Sequence, residues 1–325
     1  MTEKTSNTAS EAKKIDFKKL LLGFSRVGAL LLLSLGITMM NPNFLKPTNL
    51  INVLRTSAPQ MIMSFGMTFV MLTGGIDLSI GSVVTVTSII AGFFLEDTNL
   101  PWYFAIIGSL GAGIISGFIT GSLISVIKLP PAVATYGMLW VGKGLGFAIN
   151  GASPYYNFPD QFRYLGRGIL LGIPVPVWTL AVLIILFSLF LRYTILGRNF
   201  YAIGSNPHAA RASGINVRRT LLWAYILSGI MASIAGIILA GRLDAVDPDM
   251  GAQFLLPAIA SPVMGGTSMT GGQGGIGGTV VGALLMIVVA NGMNLIGISS
   301  LWQQLVIGVV VIMAVWIDSK IRKYS

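Results

Sequence analysis

Two glycine-containing motifs have the spacing of nucleotide-binding loops. GMLWVGKG (residues 137–144) contains the G-x-x-x-x-G-K spacing of a P-loop, but Gly144 stands where a P-loop has the Ser or Thr that binds Mg²⁺. Gly272, Gly274 and Gly277 match a dinucleotide-binding fingerprint. Both motifs lie in or beside apolar segments, whereas the functional motifs join a strand to a helix in water. We therefore expect no nucleotide site in this chain, so any ATP that drives it is bound by another subunit.

Residues for metal or catalytic chemistry are scarce. The chain has one histidine, His208, and no cysteine. This composition excludes disulfides and thiolate metal sites, and it leaves no convincing metal cluster or catalytic triad. The sequence therefore predicts no catalytic residue, no metal and no cofactor, and we do not expect the chain to be an enzyme.

Two charges stand inside apolar sequence. TGGIDLSIGS (residues 73–82) contains Asp77 between two apolar segments. In one interpretation Asp77 lies near the cytoplasmic surface and, with Gly75 and Ser79, caps the next helix by accepting backbone N–H bonds. In the other it has a gating or subunit-contact role, because a carboxylate at membrane depth is costly and marks function. For Lys143, snorkelling, a backbone carbonyl partner and contact with a substrate all remain open.

The most basic loop is GRNFYAIGSNPHAARASGINVRR (residues 197–219), which contains four arginines and no acidic residue. Asn206 followed by Pro207 predicts a helix start, since asparagine caps free N–H groups and proline fits the first helical position. Gly214 predicts a left-handed end to that helix. Its small residues and projecting Arg211 fit a groove in another protein, where arginine pairs with a carboxylate. From composition alone, a surface helix that only follows the distribution of positive charge is an equal alternative.

The apolar composition of the chain predicts which kind of secondary structure positions these residues. Of 325 residues, 54% are hydrophobic and only 10% are charged, whereas soluble domains have about 25% charged residues. The chain has too little polar surface to face water, so we predict an all-α, polytopic integral membrane protein. Its net charge of +10 lies mostly between apolar segments and at the termini. This distribution indicates membrane orientation and argues against nucleic acid binding.

The sequence predicts ten membrane spans, because a bilayer core needs roughly 20 apolar residues per helix. The spans cover about residues 20–40, 53–72, 79–95, 102–127, 131–150, 172–192, 219–241, 253–268, 277–297 and 300–317. The fifth is weak because it is rich in glycine and contains Lys143, and the eighth because it contains Pro257 and Pro262. Either is a candidate for a broken or re-entrant segment, which is tolerated only inside protein or beside a cavity.

An even number of spans puts both termini on one side of the membrane. Basic residues in the two polar tails, 1–19 and 318–325, indicate the cytoplasm. Residues 20–317 then form a single transmembrane domain with a cytoplasmic loop at 193–219, and the acidic segment 242–252 lies outside. No secretory signal peptide is recognised, since the first apolar run is too long and lacks a cleavage site.

Glycines recur at four-residue spacing in several spans. Examples are Gly113, Gly117 and Gly121, and the series from Gly274 to Gly282. Without side chains, helix backbones approach closely in lipid. Tight packing within the chain is the favoured interpretation, and a subunit interface is the alternative.

Four stretches resemble a known family of transport proteins. GSNPHAARASGINVRRT (204–220) is similar to the cytoplasmic loop of the ribose-type sugar permeases of bacterial ABC importers, and MSFGMTFVMLTGGIDLSIGS (63–82), MGGTSMTGGQGGIGGT (264–279) and NGMNLIGISSLWQQ (291–304) look like family motifs in the same order. The resemblance covers nearly the whole chain and implies a type II-like permease of about ten spans. Ribose permeases often carry basic residues where this chain has Gln273 and Gly275, which bears on whether the glycine-rich loop 271–278 contacts a partner subunit.

The resemblance also implies a set of partners. A coupling helix would dock on a separate ATPase subunit, which binds ATP and Mg. A second permease subunit, most simply a second copy, would complete a central path, an extracytoplasmic sugar-binding protein would deliver the cargo, and lipid of the bacterial inner membrane would surround the complex. The implied coupling residues are Gly204, Ser205, Asn206, Pro207, His208, Ala209, Ala210, Arg211, Ser213, Gly214 and Asn216.

The expected cargo is a small neutral sugar, because the spans contain few charges. The resemblance favours ribose over other pentoses, hexoses or autoinducer-2. Side chains that would hydrogen-bond a sugar along the path are Asn150, Asn291, Asn294 and Gln303, with helix packing as their alternative role. A passive channel is one rival. The other is an ion-coupled secondary carrier, which would need a titratable centre such as Asp77 or Lys143.

Overall fold

The structure is a computed structural model that describes residues 26–151, 153–299, 302–309, 312, 313 and 316. Within these residues the fold is helical, apart from two short antiparallel strand pairs. The helices are α1 (Arg26–Met40), α2 (Pro47–Leu72), α3 (Ile80–Glu96), α4 (Tyr103–Ser125), α5 (Pro131–Asn150), α6 (Asp160–Arg167), α7 (Val175–Tyr193), α8 (Ile195–Ser205), α9 (Pro207–Ala212), α10 (Val217–Leu243), α11 (Leu255–Met264) and α12 (Ile276–Leu295), followed by helical residues at 302–309. The strand pairs are β1 (Tyr155–Tyr156) with β4 (Ala245–Val246), and β2 (Ile169–Leu170) with β3 (Ile173–Pro174).

Five of the helices are long and apolar enough to cross a bilayer: α4, α5, α7, α10 and α12. They correspond to the fourth, fifth, sixth, seventh and ninth predicted spans. α1, α3 and α11 are shorter apolar helices, and α2 has 26 residues, or about 39 Å. The predicted all-α, polytopic fold is confirmed. The two tails lie outside the described residues, and the first and tenth predicted spans lie partly outside them.

α10 lies at the centre of the bundle, against α2, α3 and α4. α4 and α10 meet backbone to backbone. A Cβ atom added at Gly113 would lie 2.4 Å from the carbonyl oxygen of Gly229, and one added at Gly229 would lie 2.0 Å from that of Gly113. A Cβ at Gly117 would lie 2.3 Å from the carbonyl oxygen of Tyr225. These glycines pack helix against helix within the chain, which confirms the internal-packing interpretation.

The third predicted span, 79–95, is helical over nearly its whole length, as α3. Residues 73–79 turn back from the end of α2 without regular helical structure, and α3 begins at Ile80. The Ile80 side chain and Ser228 both lie against Gly66, and Ser228 is near the middle of the 27-residue α10. α3 therefore starts beside the middle of α10, and its 17 residues, about 25 Å, run from there towards one end of the bundle.

The eighth predicted span, 253–268, contains one short helix, α11. α11 has ten residues, about 15 Å, which is half of the roughly 30 Å hydrocarbon core. The chain between the end of α10 and Gly251 contains no regular helix. Gly251 N donates a hydrogen bond to Thr85 Oγ1 at 3.1 Å, and a Cβ on Gly251 would lie 2.0 Å from Gly81 O. The beginnings of α3 and α11 therefore meet inside the bundle.

α5 is a continuous helix, so the glycines of the fifth predicted span do not break it. Gly142 and Gly146 instead face α3, where added Cβ atoms would lie 2.7 Å from Ser82 Oγ and 3.1 Å from Ile89. Most of the remaining surface of α5 is exposed. Because α5 is held on one side only, its other side is open to a partner, to lipid or to a water-filled path.

Candidate functional site

The helix predicted in the basic loop is present as α9. The Asn206 side chain caps it by accepting hydrogen bonds from His208 N at 2.9 Å and Ala209 N at 3.0 Å. A proline occupies the first turn, where its missing N–H costs nothing. Gly214 follows the helix with φ of +83°, a value that favours glycine. The predicted start and end of this helix are confirmed.

α9 is attached to the bundle by one side and faces outward on the other. Ala210 is buried in a small cluster with Ile203 of α8 and Val217 of α10. The predicted coupling residues that are exposed are Ser205, Asn206, Pro207, His208, Ala209, Arg211, Ser213, Gly214 and Asn216. No carboxylate in the described part of the chain forms an ion pair with Arg211. The exposed side of α9 is thus a small basic ridge.

α8 connects this ridge to the interior. A Cβ added at Gly204, near the end of α8, would lie 2.0 Å from Leu72 O and 2.3 Å from Gly272 N. Gly272 N itself donates to Leu72 O at 3.0 Å, and Tyr201 Oη donates to Gly274 O at 3.1 Å. The end of α2, the end of α8 and the glycine-rich loop therefore form one backbone junction, which we call the glycine junction (Leu72, Gly204 and Gly272). The glycine-rich loop contacts this chain's own α8.

Asp77 lies at mid-depth in the bundle and is 4% exposed. Its Oδ2 accepts from Ser228 Oγ of α10 at 2.7 Å, and its Oδ1 accepts from both Ser79 N at 3.0 Å and Ser79 Oγ at 2.5 Å. Asp77 thus satisfies backbone and hydroxyl donors just before α3 begins. The expected position near the cytoplasmic surface is wrong, because residues 73–79 re-enter the bundle. Gly75 lies beside it, where a Cβ would be 2.7 Å from the Tyr225 hydroxyl.

The four predicted path residues do not share one site. Asn150 is buried, and neither polar atom of its side chain has a hydrogen-bond partner among the described residues. Asn291 pairs with Asn49 of α2 at 3.1 Å, and Gln303 Nε2 donates to Asn294 Oδ1 at 2.6 Å. The last three residues thus join α12 to its neighbours, which is a packing contact. A role in the transport path stays a prediction.

A cavity of about 90 Å³ opens where the beginnings of α3 and α11 meet. It is lined by Gly81, Ser82, Thr85, Leu139, Lys143, Pro248, Asp249, Ala252 and Leu255. Lys143 Nζ lies 3.0 Å from Asp249 Oδ1, so Lys143 is paired with a carboxylate. Sequence reasoning missed this pair because its members are 106 positions apart. The sequence indicated this pair only through a lone basic residue in α5 together with an acidic segment before α11.

A second set of ion pairs lies at the opposite end of α10 from α9. Arg163 of α6 donates to Asp244 at 3.1 Å and also pairs with Asp160. Hydrogen bonds to Asp160 and Asp244 raise the pKa of Arg163 above its already high value. Burial raises the pKa of Tyr155 to about 12, and its hydrogen bond to Asp97 acts in the same direction. Both groups therefore keep their protons near neutral pH.

Comparison with known proteins decides the class of this chain. Residues 49–315 match the family model described as branched-chain amino acid transport system / permease component. The chain belongs to this permease family. The permease is a multi-pass transport subunit and not an enzyme, and no group of three His, Cys, Asp or Glu side chains in its described residues could hold a metal ion. Comparison with solved structures gave no match.

Relatives of the permease include transport proteins for several sugars. The ribose import permease protein of Bacillus subtilis (strain 168) is 38% identical over 98% of this chain and 99% of the relative. The D-allose transport system permease protein of Escherichia coli (strain K12) is 33% identical over 99% of both chains. The fructose import permease protein of Rhizobium meliloti is 35% identical over 81% of this chain and 76% of the relative.

Proposed function

We propose that the permease is the membrane subunit of an ATP-driven importer for a small neutral sugar, with ribose favoured. The observation that carries this proposal is α9. It is capped at Asn206, anchored by the buried Ala210 and otherwise exposed. A helix held in this way presents a rigid surface to another protein, and the free guanidinium at Arg211 suits a carboxylate on that protein. We assign α9 as the coupling helix that docks on the ATPase.

The glycine junction gives the coupling helix a route to the interior. Movement of α9 is transmitted through α8 to Gly204, which touches the end of α2 and the glycine-rich loop without intervening side chains. The segment 73–79 leads from α2 into α3, and the glycine-rich loop lies between α11 and α12. Closure of the ATPase therefore acts on both α3 and α11. The bundle shifts from outward-open to inward-open because the partner contacts the two states differently.

The remaining partners follow from the same assignment. ATP and Mg are bound by the separate ATPase, and an extracytoplasmic binding protein delivers the sugar. Large apolar side chains on α4, α5 and α7 are exposed, such as Phe118, Val141 and Val182. In an integral membrane protein these surfaces face lipid or a second copy of the chain. The complex lies in the bacterial inner membrane, with α9 and both termini on the cytoplasmic side.

The sugar assignment rests on the relatives and on the charges of the interior. Ribose, allose and fructose permeases align with most or all of the chain. The charged residues at the central cavity, Lys143 and Asp249, neutralise each other, which suits a neutral cargo. Ribose is favoured by the 38% identity to a ribose permease. Another pentose, a hexose or autoinducer-2 is the alternative.

Reconstitution in vesicles tests this function. Uptake of labelled D-ribose, D-allose and D-fructose is measured with the permease alone, and then with its ATPase, its binding protein and ATP. We expect uphill uptake only in the complete mixture. Uphill uptake by the permease alone under an ion gradient would identify a secondary carrier, and downhill flux by the permease alone would identify a channel. Either result overturns the proposal.

A further inference from the structure

The cavity between α3, α5 and α11 shares no residue with α9 or the glycine junction, and its depth in the bundle indicates a role. It lies at the beginning of α3, and Ile80 in that first turn is level with Ser228 in the middle of α10. The cavity is thus at mid-depth in the bundle. In transporters built with broken helices, cargo lies where the breaks meet, because helix ends and irregular backbone supply polar groups that a continuous helix does not. α3 and α11 both begin inside the bundle after irregular backbone.

The polar groups at the cavity are of the kinds that recognise hydroxyls. The ammonium of Lys143 donates hydrogen bonds and the carboxylate of Asp249 accepts them. The hydroxyls of Ser82 and Thr85 belong to the same cavity; each already donates to a backbone carbonyl, of Ser79 and Gly81 respectively, so both meet a sugar as hydrogen-bond acceptors. A sugar hydroxyl both donates and accepts, so a neighbouring cation and carboxylate match two adjacent hydroxyls. Trp140 lies one helical turn before Lys143, with its ring centroid 6.0 Å from Nζ, and provides an apolar surface for the C–H face of a sugar ring.

The exposure of Lys143 and Asp249 indicates that this ion pair is in contact with water. The Lys143 side chain is 36% exposed and that of Asp249 is 56% exposed. Charged groups at this depth are costly when they face lipid, so they face a cavity or a partner. Because the two charges cancel, the site attracts neutral polar cargo without selecting anions.

We propose that Lys143 and Asp249, together with Ser82 and Thr85, form a subsite that binds the hydroxyls of a small neutral sugar during transport. The proposal rests on the proposed function in taking the cargo to be a sugar. A cavity of about 90 Å³ has room for several water molecules. In this conformation it therefore holds the hydroxylated edge of the sugar, and the rest of the ring extends along α5 towards Trp140.

Protection from chemical labelling tests the subsite directly. The chain has no cysteine, so Ala252→Cys places a single thiol in the cavity wall. Gly137→Cys is the matched control, because no atom of the described chain would lie within 4 Å of its Cβ and it is outside the cavity. The assembled importer is treated with a small water-soluble methanethiosulfonate in the presence of D-ribose, D-allose, D-fructose or the anion D-ribonate. We expect at least one neutral sugar to slow labelling at position 252 at least threefold, with no effect at 137 and none from ribonate.

Exchange of the two charges separates sugar binding from a structural ion pair. Lys143→Asp combined with Asp249→Lys restores the pair but reverses the positions of donor and acceptor. We expect an assembled complex, checked by its elution as a single species, in which half-maximal protection and half-maximal uptake need at least tenfold more sugar. Protection and uptake equal to those of the unexchanged chain would overturn the subsite and leave the pair a structural link.

Protection from labelling and ATP-driven uptake together distinguish failure of the subsite from failure of the proposed function. ATP-driven uptake without protection by any of the sugars overturns the subsite alone. Protection by a sugar that is never taken up overturns the proposed function and leaves a sugar-binding cavity. Protection by ribonate but by no neutral sugar overturns the assignment of a neutral ligand.

Discussion

Arg211 is the residue whose role is easiest to isolate, because it is exposed on α9 and has no ion-pair partner in the described chain. For Arg211→Glu we expect ATP-driven uptake to be lost while the protein remains folded in the membrane. The reason is that a carboxylate on the partner would now face another carboxylate. Uptake and the amount of permease in membranes are measured together. Arg218→Glu, exposed in the first turn of α10 and outside α9, is the control and should keep at least half of the uptake. Normal uptake by Arg211→Glu would remove the coupling role of this residue.

Substitutions at Asp77 can distinguish its two alternative roles, a structural cap and a part in gating. Asp77→Ala leaves three donors without an acceptor, namely Ser79 N and the hydroxyls of Ser79 and Ser228. We expect a loss of about 1–3 kcal/mol, seen as a lower melting temperature in detergent. Asp77→Asn keeps an oxygen for Ser79, and its amide donates to Ser228 Oγ, so its melting temperature should stay close to that of the unsubstituted chain.

Transport by Asp77→Asn then decides between the two roles of Asp77. Uptake at the normal rate indicates that the carboxylate is structural and caps the approach to α3. Loss of uptake from a protein of normal stability indicates that its charge has a part in gating. Equal melting temperatures for the Ala and Asn variants would contradict the assigned hydrogen bonds.

At the scale of single helices, the glycine spacing lets α4 and α10 pack closely. A Cβ on Gly113 would lie 1.9 Å from Ser233 Oγ of α10, so Gly113→Ala forces α4 and α10 apart. Overpacking of this kind costs about 1–3 kcal/mol. Gly111 of the same helix is the control, since no atom of the described chain would lie within 4 Å of its added Cβ. We expect Gly113→Ala to lower the temperature at which the detergent-solubilised protein loses its monodisperse elution peak, and Gly111→Ala to leave it unchanged or raise it. Equal effects of the two substitutions would show that this contact does not stabilise the bundle.

The elements also differ in how far sequence predicts them. α9 was predictable because its cap, its proline and Gly214 act within a few residues of one another. The depth at which α3 and α11 begin was not predictable, because it depends on contacts between distant positions, such as Gly81 with Gly251. The glycines of α5 suggested a break but pack against α3 instead. The prolines of the eighth span were the useful signal, and the break before α3 had only the glycines of TGGIDLSIGS to indicate it.

At the scale of the whole molecule, the orientation of the permease stays a prediction, and the cysteine-free chain makes it testable. Between Leu171 and α9 the chain forms one long apolar helix, α7. Leu171 and α9 should therefore lie on opposite sides of the membrane. Leu171→Cys, at a position 84% exposed, should react with an impermeant thiol reagent in intact cells. Ala209→Cys should react only after the membrane is opened. Reaction of Ala209→Cys in intact cells would put α9 outside and contradict its docking on a cytoplasmic ATPase.

The glycine junction and the bond from Asp77 to Ser228 have a consequence for biosynthesis. Leu72 O accepts its hydrogen bond from Gly272 N, a residue synthesised 200 positions later. At roughly 5–20 residues per second, the ribosome needs on the order of 10–40 s to cover that distance. During this interval Asp77 has its local donors on Ser79 but lacks Ser228, and Leu72 O lacks Gly272 N. A nascent chain that ends before α10 therefore has to keep residues 73–79 at the membrane surface or in the translocon, and the early helices reach their final depth only after the later ones are inserted.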